Sequence, residues 1–189
     1  MRIIGGAFRG IRLAEIGKGD AAAHLRPTSD RVRESIFNLL LNGGYGDAVS
    51  GARVLDLFAG TGALGLEALS RGAKQARFVE NGRVALGLLA RNIEICHAAD
   101  KAAIIRMDAT RLMANPAAGS DLIFLDPPYG KAMGQKALTA AINGGWLAPE
   151  ALVVWEESAE MPTPEGFTKQ DARRYGDTFV TLLTFDGPA

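Results

Sequence analysis

An acidic residue, two prolines and a tyrosine end a strongly apolar stretch of the chain. The stretch is LIFL at 122–125, and Asp126, Pro127, Pro128 and Tyr129 follow it directly. Proline has no backbone N–H and a fixed φ, and it drives the preceding residue into an extended conformation. The corner therefore offers a carboxylate and a carbonyl as acceptors with no competing backbone donor. It suits a ligand group that has hydrogens to donate.

An exocyclic amino group on a flat ring is such a ligand group. Its lone pair is delocalised into the ring, which makes the nitrogen a poor nucleophile. Two acceptors pulling on its hydrogens favour a pyramidal nitrogen that can attack, a form of electrostatic preorganisation. Tyr129 can stack on the base, a contact worth about 1–3 kcal/mol, which helps offset the cost of unstacking the base. Alternatively, the prolines merely turn the chain and Tyr129 fills the core.

A glycine-rich loop forms the second candidate site. Gly60, Gly62 and Gly65 in DLFAGTGALG match the pattern G-x-G-x-x-G. In this pattern backbone N–H groups approach a ligand closely and open a helix whose N-terminus favours anions. Read alone, it indicates a dinucleotide, with Glu80 at the right spacing to hold a ribose hydroxyl.

Acidic residues near this loop favour a different ligand. Asp56 ends the strand before the loop, and Asp108 follows the third predicted strand. A carboxylate repels a pyrophosphate but attracts the ammonium and sulfonium groups of S-adenosylmethionine. Asp108 can accept a hydrogen bond from an adenine amino group, or it can instead cap a helix at 109–114. Together with Glu80, these acids at three consecutive strand ends favour a positively charged nucleoside.

The elements that position these residues follow from the apolar pattern. From residue 53 onward, short β-rich runs alternate with helical patterns, which predicts a parallel sheet with helices on both faces. Ligands bind such a sheet beyond the carboxyl ends of its strands, at the switch point. The predicted strands are 53–58, 76–80, 102–107, 121–126 and 151–157, and the predicted helices are 62–72, 82–97, 109–114 and 131–142.

Smaller elements flank this sheet. Residues 1–13 predict a hairpin around a glycine-rich turn, residues 14–27 a loop, and residues 28–44 a helix that Gly43-Gly44 ends. The C-terminal run predicts two strands joined at Gly176-Asp177, with an antiparallel strand added at the sheet edge. Candidate caps of the helix are Thr28, Ser29 and Asp30, and its apolar face holds Val32, Ile36, Leu39 and Leu40.

Together these elements predict an α/β, Rossmann-like fold. Its centre is a mostly parallel, seven-stranded sheet with an antiparallel C-terminal strand and helices on both faces. We expect two parts in the chain: a hairpin and loop extension at 1–27, and the main domain at 28–189.

The composition bounds the class of protein. With 189 residues, 48% of them hydrophobic, the chain suits one globular domain with a full core. We expect no membrane partner, because no apolar stretch spans a bilayer and no signal-peptide core is evident. The single Cys96 excludes an intrachain disulfide framework and fits a reducing, cytoplasmic compartment. With one cysteine and two histidines, we expect no metal site.

Arginines cluster near the N-terminus although the net charge is zero. This asymmetry favours an end that faces a polyanion, against the alternative of chance clustering on a solvated surface. Arginine suits phosphate contacts geometrically. The candidates for RNA contact are Arg2, Arg9, Arg12, Arg26 and Arg31.

Motifs in a fixed order resemble a known family. VLDLFAGTGALGLEALSRGA, VE at 79–80, DA at 108–109 and DPPY at 126–129 are similar to class I methyltransferases that act on amino nitrogens. MRIIGG at the start, RPTSDRVRESIFNLL before the sheet and RRYGDT near the end resemble the RsmD family over nearly the whole chain. Its members are bacterial 16S rRNA guanine-N2 methyltransferases that use S-adenosylmethionine.

The resemblance implies a function and a site. The chain would methylate the exocyclic N2 of a guanine in 16S rRNA, within the small ribosomal subunit or its assembly intermediate. We also expect a monomer, because nothing in the sequence suggests a large symmetric interface. Asp126 to Tyr129 would hold the guanine, and the N-terminal hairpin and RPTSDR would face the rRNA. The cofactor would contact Asp56, Phe58, Gly60, Thr61, Gly62, Glu80, Asn81, Asp108 and Ala109.

Other functions stay open at this point. A DNA adenine-N6 methyltransferase shares the DPPY chemistry but usually needs a separate target-recognition domain. A protein-glutamine methyltransferase more often has Asn where Asp126 stands. A non-catalytic rRNA-binding assembly factor would not need the Asp126 carboxylate. A nicotinamide dehydrogenase is disfavoured by Asp56 and by the lack of an evident hydride-transfer acid.

Overall fold

One mixed sheet forms the centre of the protein. Within residues 1–15 and 29–187, which the computed structural model describes, the sheet has seven strands in the order β3-β2-β1-β4-β5-β7-β6. β1 to β5 are parallel, whereas β7 is antiparallel to both of its neighbours. In chain order the strands are β1 (Arg53–Leu57), β2 (Gln75–Glu80), β3 (Ala102–Arg106), β4 (Ser120–Leu125), β5 (Leu147–Glu157), β6 (Phe167–Tyr175) and β7 (Thr178–Phe185).

Helices cover both faces of this sheet, as predicted. Side chains alternate between the faces of a strand, so Phe124 joins one apolar cluster with helices α1 to α3, and Leu125 joins the other with α4. Both side chains are fully buried. The helices in the described part of the chain are α1 (Asp30–Asn42), α2 (Ala63–Ser70), α3 (Arg83–Ile95) and α4 (Met133–Asn143).

Helix α1 begins and ends at predicted signals. Ser29 is its N-cap, and the Ser29 side chain accepts a hydrogen bond from the backbone N of Val32 at 3.2 Å. Gly43 follows the last helical residue. Of the predicted face, Ile36, Leu39 and Leu40 are buried and Val32 is half-buried. Thr28, another candidate cap, lies outside the described residues.

The N-terminal hairpin is confirmed, with a single bridge between Arg2 and Arg12. The backbone N of Ile3 donates to the carbonyl of Ile11 at 2.9 Å, and the backbone N of Gly10 donates to the carbonyl of Ile3 at 2.9 Å. Ile3 and Leu13 are buried in the same apolar cluster as α1. The predicted boundary between residues 27 and 28 lies outside the described residues and stays a prediction.

A buried carboxylate holds this hairpin on helix α2. Glu67 is fully buried and accepts hydrogen bonds from the backbone N of Ile4 and of Gly5, each at 2.8 Å. Its other contacts are Arg71 Nε at 2.8 Å and Arg33 Nε at 3.5 Å. Ser70, the last residue of α2, accepts further hydrogen bonds from the backbone N of Ala7 and of Phe8, so the hairpin lies along the length of α2.

The C-terminal hairpin turns at Gly176-Asp177 as predicted, since Tyr175 pairs with Thr178. The predicted antiparallel C-terminal strand is confirmed: β7 pairs with β5, next to the parallel strands β1 to β5. β7 lies between β5 and β6, and β6 forms the edge. Most of β7 is buried, whereas most of β6 is exposed or half-buried, so the more apolar strand takes the inner position.

The predicted helix at 109–114 is a single 3-10 turn at Ala109–Arg111. Leu112 has an extended conformation (φ −61°, ψ 130°) and packs into the apolar cluster beside α4. Burial of this side chain ends the turn, which residue spacing alone did not indicate.

Candidate active site

Three predicted acids at strand ends line one cavity. Asp56 of β1, Glu80 of β2 and Asp126 after β4 share a cavity of about 760 Å³. The cavity lies at the carboxyl ends of β1 and β4, where the strand order reverses. Its volume falls within the range of about 300–1,000 Å³ typical of small-molecule sites.

The loop between β1 and α2 forms one wall of the cavity. Phe58, Gly60 and Thr61 line it. Phe58 and Gly60 have φ of 61° and 56°, in the left-handed region, which for Phe58 costs on the order of 1 kcal/mol. Gly62 lies behind the wall: a Cβ at this position would come 2.4 Å from Leu89 Cδ1. The glycine pattern therefore lets the loop pack closely on helix α3.

Backbone amides hold the carboxylate of Glu80 in place. Oε2 accepts from the backbone N of Gly60 at 2.9 Å, and Oε1 accepts from Asn81 at 2.9 Å and Gly82 at 2.7 Å. These contacts tie the end of β2 to the glycine loop. A carboxylate has about four acceptor positions, so Glu80 keeps capacity for a hydroxyl donor. Asn81 is exposed and also lines the cavity.

Asp56 is a buried acid at the base of the cavity. Its side chain is 2% exposed, and Oδ2 accepts from the backbone N of Gly65 at 2.9 Å. Burial raises the pKa of Asp56 well above its ordinary value, the hydrogen bond from Gly65 lowers it, and the nearby charges of Asp126 and Glu80 raise it. A cation bound here would favour the ionised carboxylate.

The structure places Asp108 outside the cavity wall. Its Oδ1 accepts hydrogen bonds from the backbone N and the hydroxyl of Thr110 at 2.8 and 2.7 Å. The hydrogen bond from the Thr110 hydroxyl holds the pKa of Asp108 below its ordinary value. Its contacts are those of a cap on the 3-10 turn, the alternative interpretation, whereas Ala109 lines the cavity. An adenine contact for Asp108 stays a prediction.

The corner after β4 opens into the cavity. Asp126, Pro127, Pro128 and Tyr129 all line it. Asp126 is half-buried, and so is Tyr129, whose hydroxyl lies 3.2 Å from Thr178 Oγ1. Tyr129 therefore stands at the cavity instead of filling the core.

Several wall residues were not predicted from the sequence. Glu156 follows the apolar run LVVW of β5, the same signal that identified Asp126, and it is 2% exposed. The hairpin between β6 and β7 also reaches the cavity, through the motif RRYGDT. Unpredicted wall residues include Met1, Ser29, Val32, Lys131, Met133, Glu156, Tyr175, Asp177 and Thr178.

The candidate RNA-contacting arginines of the hairpin and α1 are exposed. Arg2 and Arg12 are directly paired across the hairpin bridge, and Arg9 and Arg31 are exposed as well. Met1, at the start of the hairpin, lines the cavity. Arg26 lies outside the described residues.

Two further properties concern the described part of the chain. Within residues 1–15 and 29–187, no group of three or more His, Cys, Asp or Glu side chains could hold a metal ion. Over the same ranges, no helix is long and apolar enough to cross a bilayer.

The strand order, the single antiparallel β7 and the glycine loop facing a DPPY corner define a class I S-adenosylmethionine-dependent methyltransferase. The solved structure of the putative methyltransferase yhhF from Escherichia coli has the same fold. Its TM-score is 0.83, and it is 34% identical over 100% of this chain and 99% of that chain. An RNA methyltransferase from Salinibacter ruber in complex with S-adenosyl-L-homocysteine shares the fold, with a TM-score of 0.66 and 15% identity over 87% and 96% of the two chains.

Sequence relatives narrow the class. The family Conserved hypothetical protein 95 matches residues 1–184. Ribosomal RNA small subunit methyltransferase D from Escherichia coli is 37% identical over 164 residues, which are 87% of this chain and 78% of that protein. The Haemophilus influenzae protein of the same name is 34% identical over 173 residues, 89% and 85% of the two chains. The chain belongs to the ribosomal RNA small subunit methyltransferase D (RsmD) family, as the motifs predicted.

Proposed function

We propose that this methyltransferase transfers a methyl group from S-adenosylmethionine to the exocyclic N2 amino group of a guanine in 16S rRNA. The observation that carries the proposal is that the Asp126 corner and the glycine loop face one cavity. An acceptor site for an amino group is thereby placed next to a site for a nucleoside, in a chain of the RsmD family.

The half of the cavity near β1 and β2 fits the cofactor. Glu80 is preorganised by three backbone amides and can accept a ribose hydroxyl. Asp56 is a buried acid in the cavity wall, and a cation bound beside it would stabilise its ionised form. Phe58 and Ala109 supply apolar surface for an adenine ring. When bound, S-adenosylmethionine supplies an electrophilic methyl group on a positively charged sulfur.

The half of the cavity near β4 and β7 fits the target base. The Asp126 carboxylate and the backbone carbonyl beside it accept hydrogen bonds from the amino group, which favours the pyramidal, nucleophilic nitrogen. Tyr129 presents its ring for stacking, and Thr178 restrains the hydroxyl of that ring. A base flipped out of its helix would enter this half.

The N-terminal extension is proposed to face the rRNA. Arg2 and Arg12 are paired across the hairpin, and like charges in this arrangement are destabilising. Asp30 lies 3.9 Å from Arg2 Nε and offsets part of that repulsion, and a polyphosphate partner would offset the rest. Glu67 anchors the hairpin on α2, and Met1 contacts Thr61 of the glycine loop, so the end of the hairpin that carries Arg2 and Arg12 lies near this loop.

The proposal extends to the setting of the reaction. We expect the substrate to be the small ribosomal subunit or its assembly intermediate, in the cytoplasm. We expect a monomer, since the large exposed hydrophobic side chains among the described residues are Val84 and Met113, and an obligate interface is more apolar.

The test uses labelled S-adenosylmethionine and small subunits from a strain that lacks the enzyme. The expected result is one labelled guanine in 16S rRNA, identified as N2-methylguanine by nuclease digestion and mass spectrometry. Naked 16S rRNA, duplex DNA and a glutamine-containing protein extract are run in parallel. Label on adenine in DNA or on glutamine, with none on rRNA, would contradict the proposal.

A further inference from the structure

A second acid stands beside Asp126 in the cavity wall. Glu156 ends the apolar part of β5, lines the cavity and is 2% exposed. Leu125 of β4 pairs with Trp155 of β5, so Asp126 and Glu156 occupy the next position on adjacent parallel strands. Such strands lie about 4.8 Å apart, which brings the two acids close together.

The two side chains leave the sheet on the same side. Phe124 and Val154 are paired and belong to one apolar cluster, and side chains two residues apart on a strand share a face. Asp126 therefore lies on the same face as Phe124, and Glu156 lies on the same face as Val154, each two residues further toward the cavity. The cavity wall opposite β1 and β2 thus carries two carboxylates on adjacent strands.

Two neighbouring carboxylates disfavour each other's ionised form, and hydrogen bonds donated by a ligand favour it. An ionised carboxylate is an acceptor only, with about four acceptor positions, so a contact within the protein still leaves room for a ligand. A ligand matched to Asp126 and Glu156 must offer hydrogens at two adjacent positions. Guanine does so, because its N1–H lies next to its N2 amino group. A base with a lone pair at N1 would face a carboxylate with no hydrogen between them.

We propose that Glu156 accepts the N1–H of the target guanine while Asp126 accepts from its N2 amino group. Glu156 is then a specificity-determining residue that selects purines protonated at N1. This inference rests on the proposed function and names the group that reads the base.

The test compares two ligated 16S rRNA substrates that differ at one nucleotide, assembled into small subunits. One carries guanosine at the methylated position, and the other carries 2,6-diaminopurine riboside, which keeps the 2-amino group but has a lone pair at N1. We expect the unmodified enzyme to prefer guanosine by at least about 100-fold in kcat/KM, because sites built on a hydrogen bond reject analogues that lack it.

The variant E156Q should relax this preference. Its amide nitrogen can donate to the N1 lone pair of diaminopurine, so the ratio of kcat/KM values should fall at least about tenfold. The matched control is E157Q, on the next residue of β5, where the carboxylate accepts from the backbone N of Gly130 and Ser158. The control should keep the ratio of the unmodified enzyme.

Equal methylation of both substrates by the unmodified enzyme would overturn the inference and leave the proposed function standing. An unchanged ratio in a folded E156Q would do the same. Methylation of neither substrate would overturn both. The ratio of kcat/KM values for the two substrates is measured on the unmodified enzyme alone, so it tests the inference even if E156Q does not fold.

Discussion

The hydroxyl of Tyr129 lies 3.2 Å from Oγ1 of Thr178. This contact joins the DPPY corner after β4 to the first residue of β7, although the two positions are 49 residues apart in the chain. Thr178 is 7% exposed and sits in a paired strand. The tyrosine ring is therefore restrained at the cavity by a rigid element, as a stacking surface requires.

Removal of the ring should cost more than removal of its hydroxyl. Tyr129→Phe loses one hydrogen bond, about 0.5–1.5 kcal/mol, whereas Tyr129→Ala loses the stacking surface as well, about 1–3 kcal/mol more. We expect kcat/KM for small subunits to fall less than about tenfold in the first variant and about 10–100-fold further in the second. Thr178→Val is the matched control and should resemble Tyr129→Phe. Equal losses in the Phe and Ala variants would show that the ring does not stack on the base.

Asp56 should make the stability of the cofactor-free protein depend on pH. Its folded-state pKa is raised, chiefly by burial. Such a group contributes stability that is fully present below the unfolded pKa and is lost as pH rises through the folded pKa. Asp56→Asn keeps an acceptor for the backbone N of Gly65 and removes this titration. The Tm of the variant minus that of the unmodified protein should increase from pH 4 to pH 8, as measured by calorimetry.

The same variant should bind S-adenosylmethionine more weakly, because it no longer offers a carboxylate to a cation. If the Tm values of the variant and of the unmodified protein change equally with pH, and the cofactor affinity is also unchanged, then a charged Asp56 in the cofactor site is excluded. A gain in stability together with a loss of affinity is the expected combination.

Glu80 should support both the fold and the cofactor site. Its two oxygens accept from the backbone N of Gly60, Asn81 and Gly82. Glu80→Gln replaces one acceptor oxygen by a donor that faces backbone N–H groups, which should cost about 1–3 kcal/mol in the free energy of unfolding. Urea unfolding measures this change. Glu94→Gln, at an exposed acid of α3, is the control and should leave stability nearly unchanged. Similar values for the two variants would exclude the proposed tie between β2 and the glycine loop.

Neutralisation of the hairpin should reduce the salt dependence of subunit binding. Removing one phosphate interaction makes the slope of log K against log salt shallower by about 0.7–0.9. We expect about twice this change, roughly 1.4–1.8, for Arg9→Gln/Arg12→Gln in filter binding from low to moderate salt, because two arginines are neutralised. Lys101→Gln/Lys169→Gln is the matched control, because both lysines are exposed, Lys101 precedes the edge strand β3, and Lys169 lies on the other edge strand, β6. If the slope equals that of the unmodified protein and methylation is complete, then Arg9 and Arg12 do not contact the RNA.

Acids at strand ends show how much of the site can be predicted from the sequence. An acid at the end of an apolar strand indicates a contact with a ligand, and this reasoning predicted Asp56 and Asp126 in the cavity wall. The same signal is present in the sequence at Glu156, where it was not recognised. Asp108 shows the limit of the signal, because a cap and a ligand contact require the same residue type at the same position. The hydrogen bonds from the backbone N and the hydroxyl of Thr110 show that Asp108 caps the turn, and its contact with adenine stays a prediction.

Long-range packing explains the remaining differences. The alternating pattern predicted two C-terminal strands, but their order depends on which one pairs with β5, and local spacing does not encode that choice. Likewise, Glu67 is one acid in a predicted helix, and its role in holding the hairpin depends on residues more than 60 positions away. The contribution of Tyr175 and Thr178 to the cavity follows from the same strand order.

The acceptor role of Asp126 is tested most directly by single-turnover methyl transfer with saturating cofactor and small subunits. Asp126→Ala and the near-isosteric Asp126→Asn should keep the S-adenosylmethionine affinity of the unmodified protein by calorimetry. Asp126→Ala should lower the transfer rate by at least about 100-fold, the loss typical of one preorganised group that stabilises developing charge. Asp126→Asn keeps one acceptor oxygen and should lose less. A rate close to that of the unmodified enzyme in the folded, cofactor-binding Asp126→Ala protein would contradict the account.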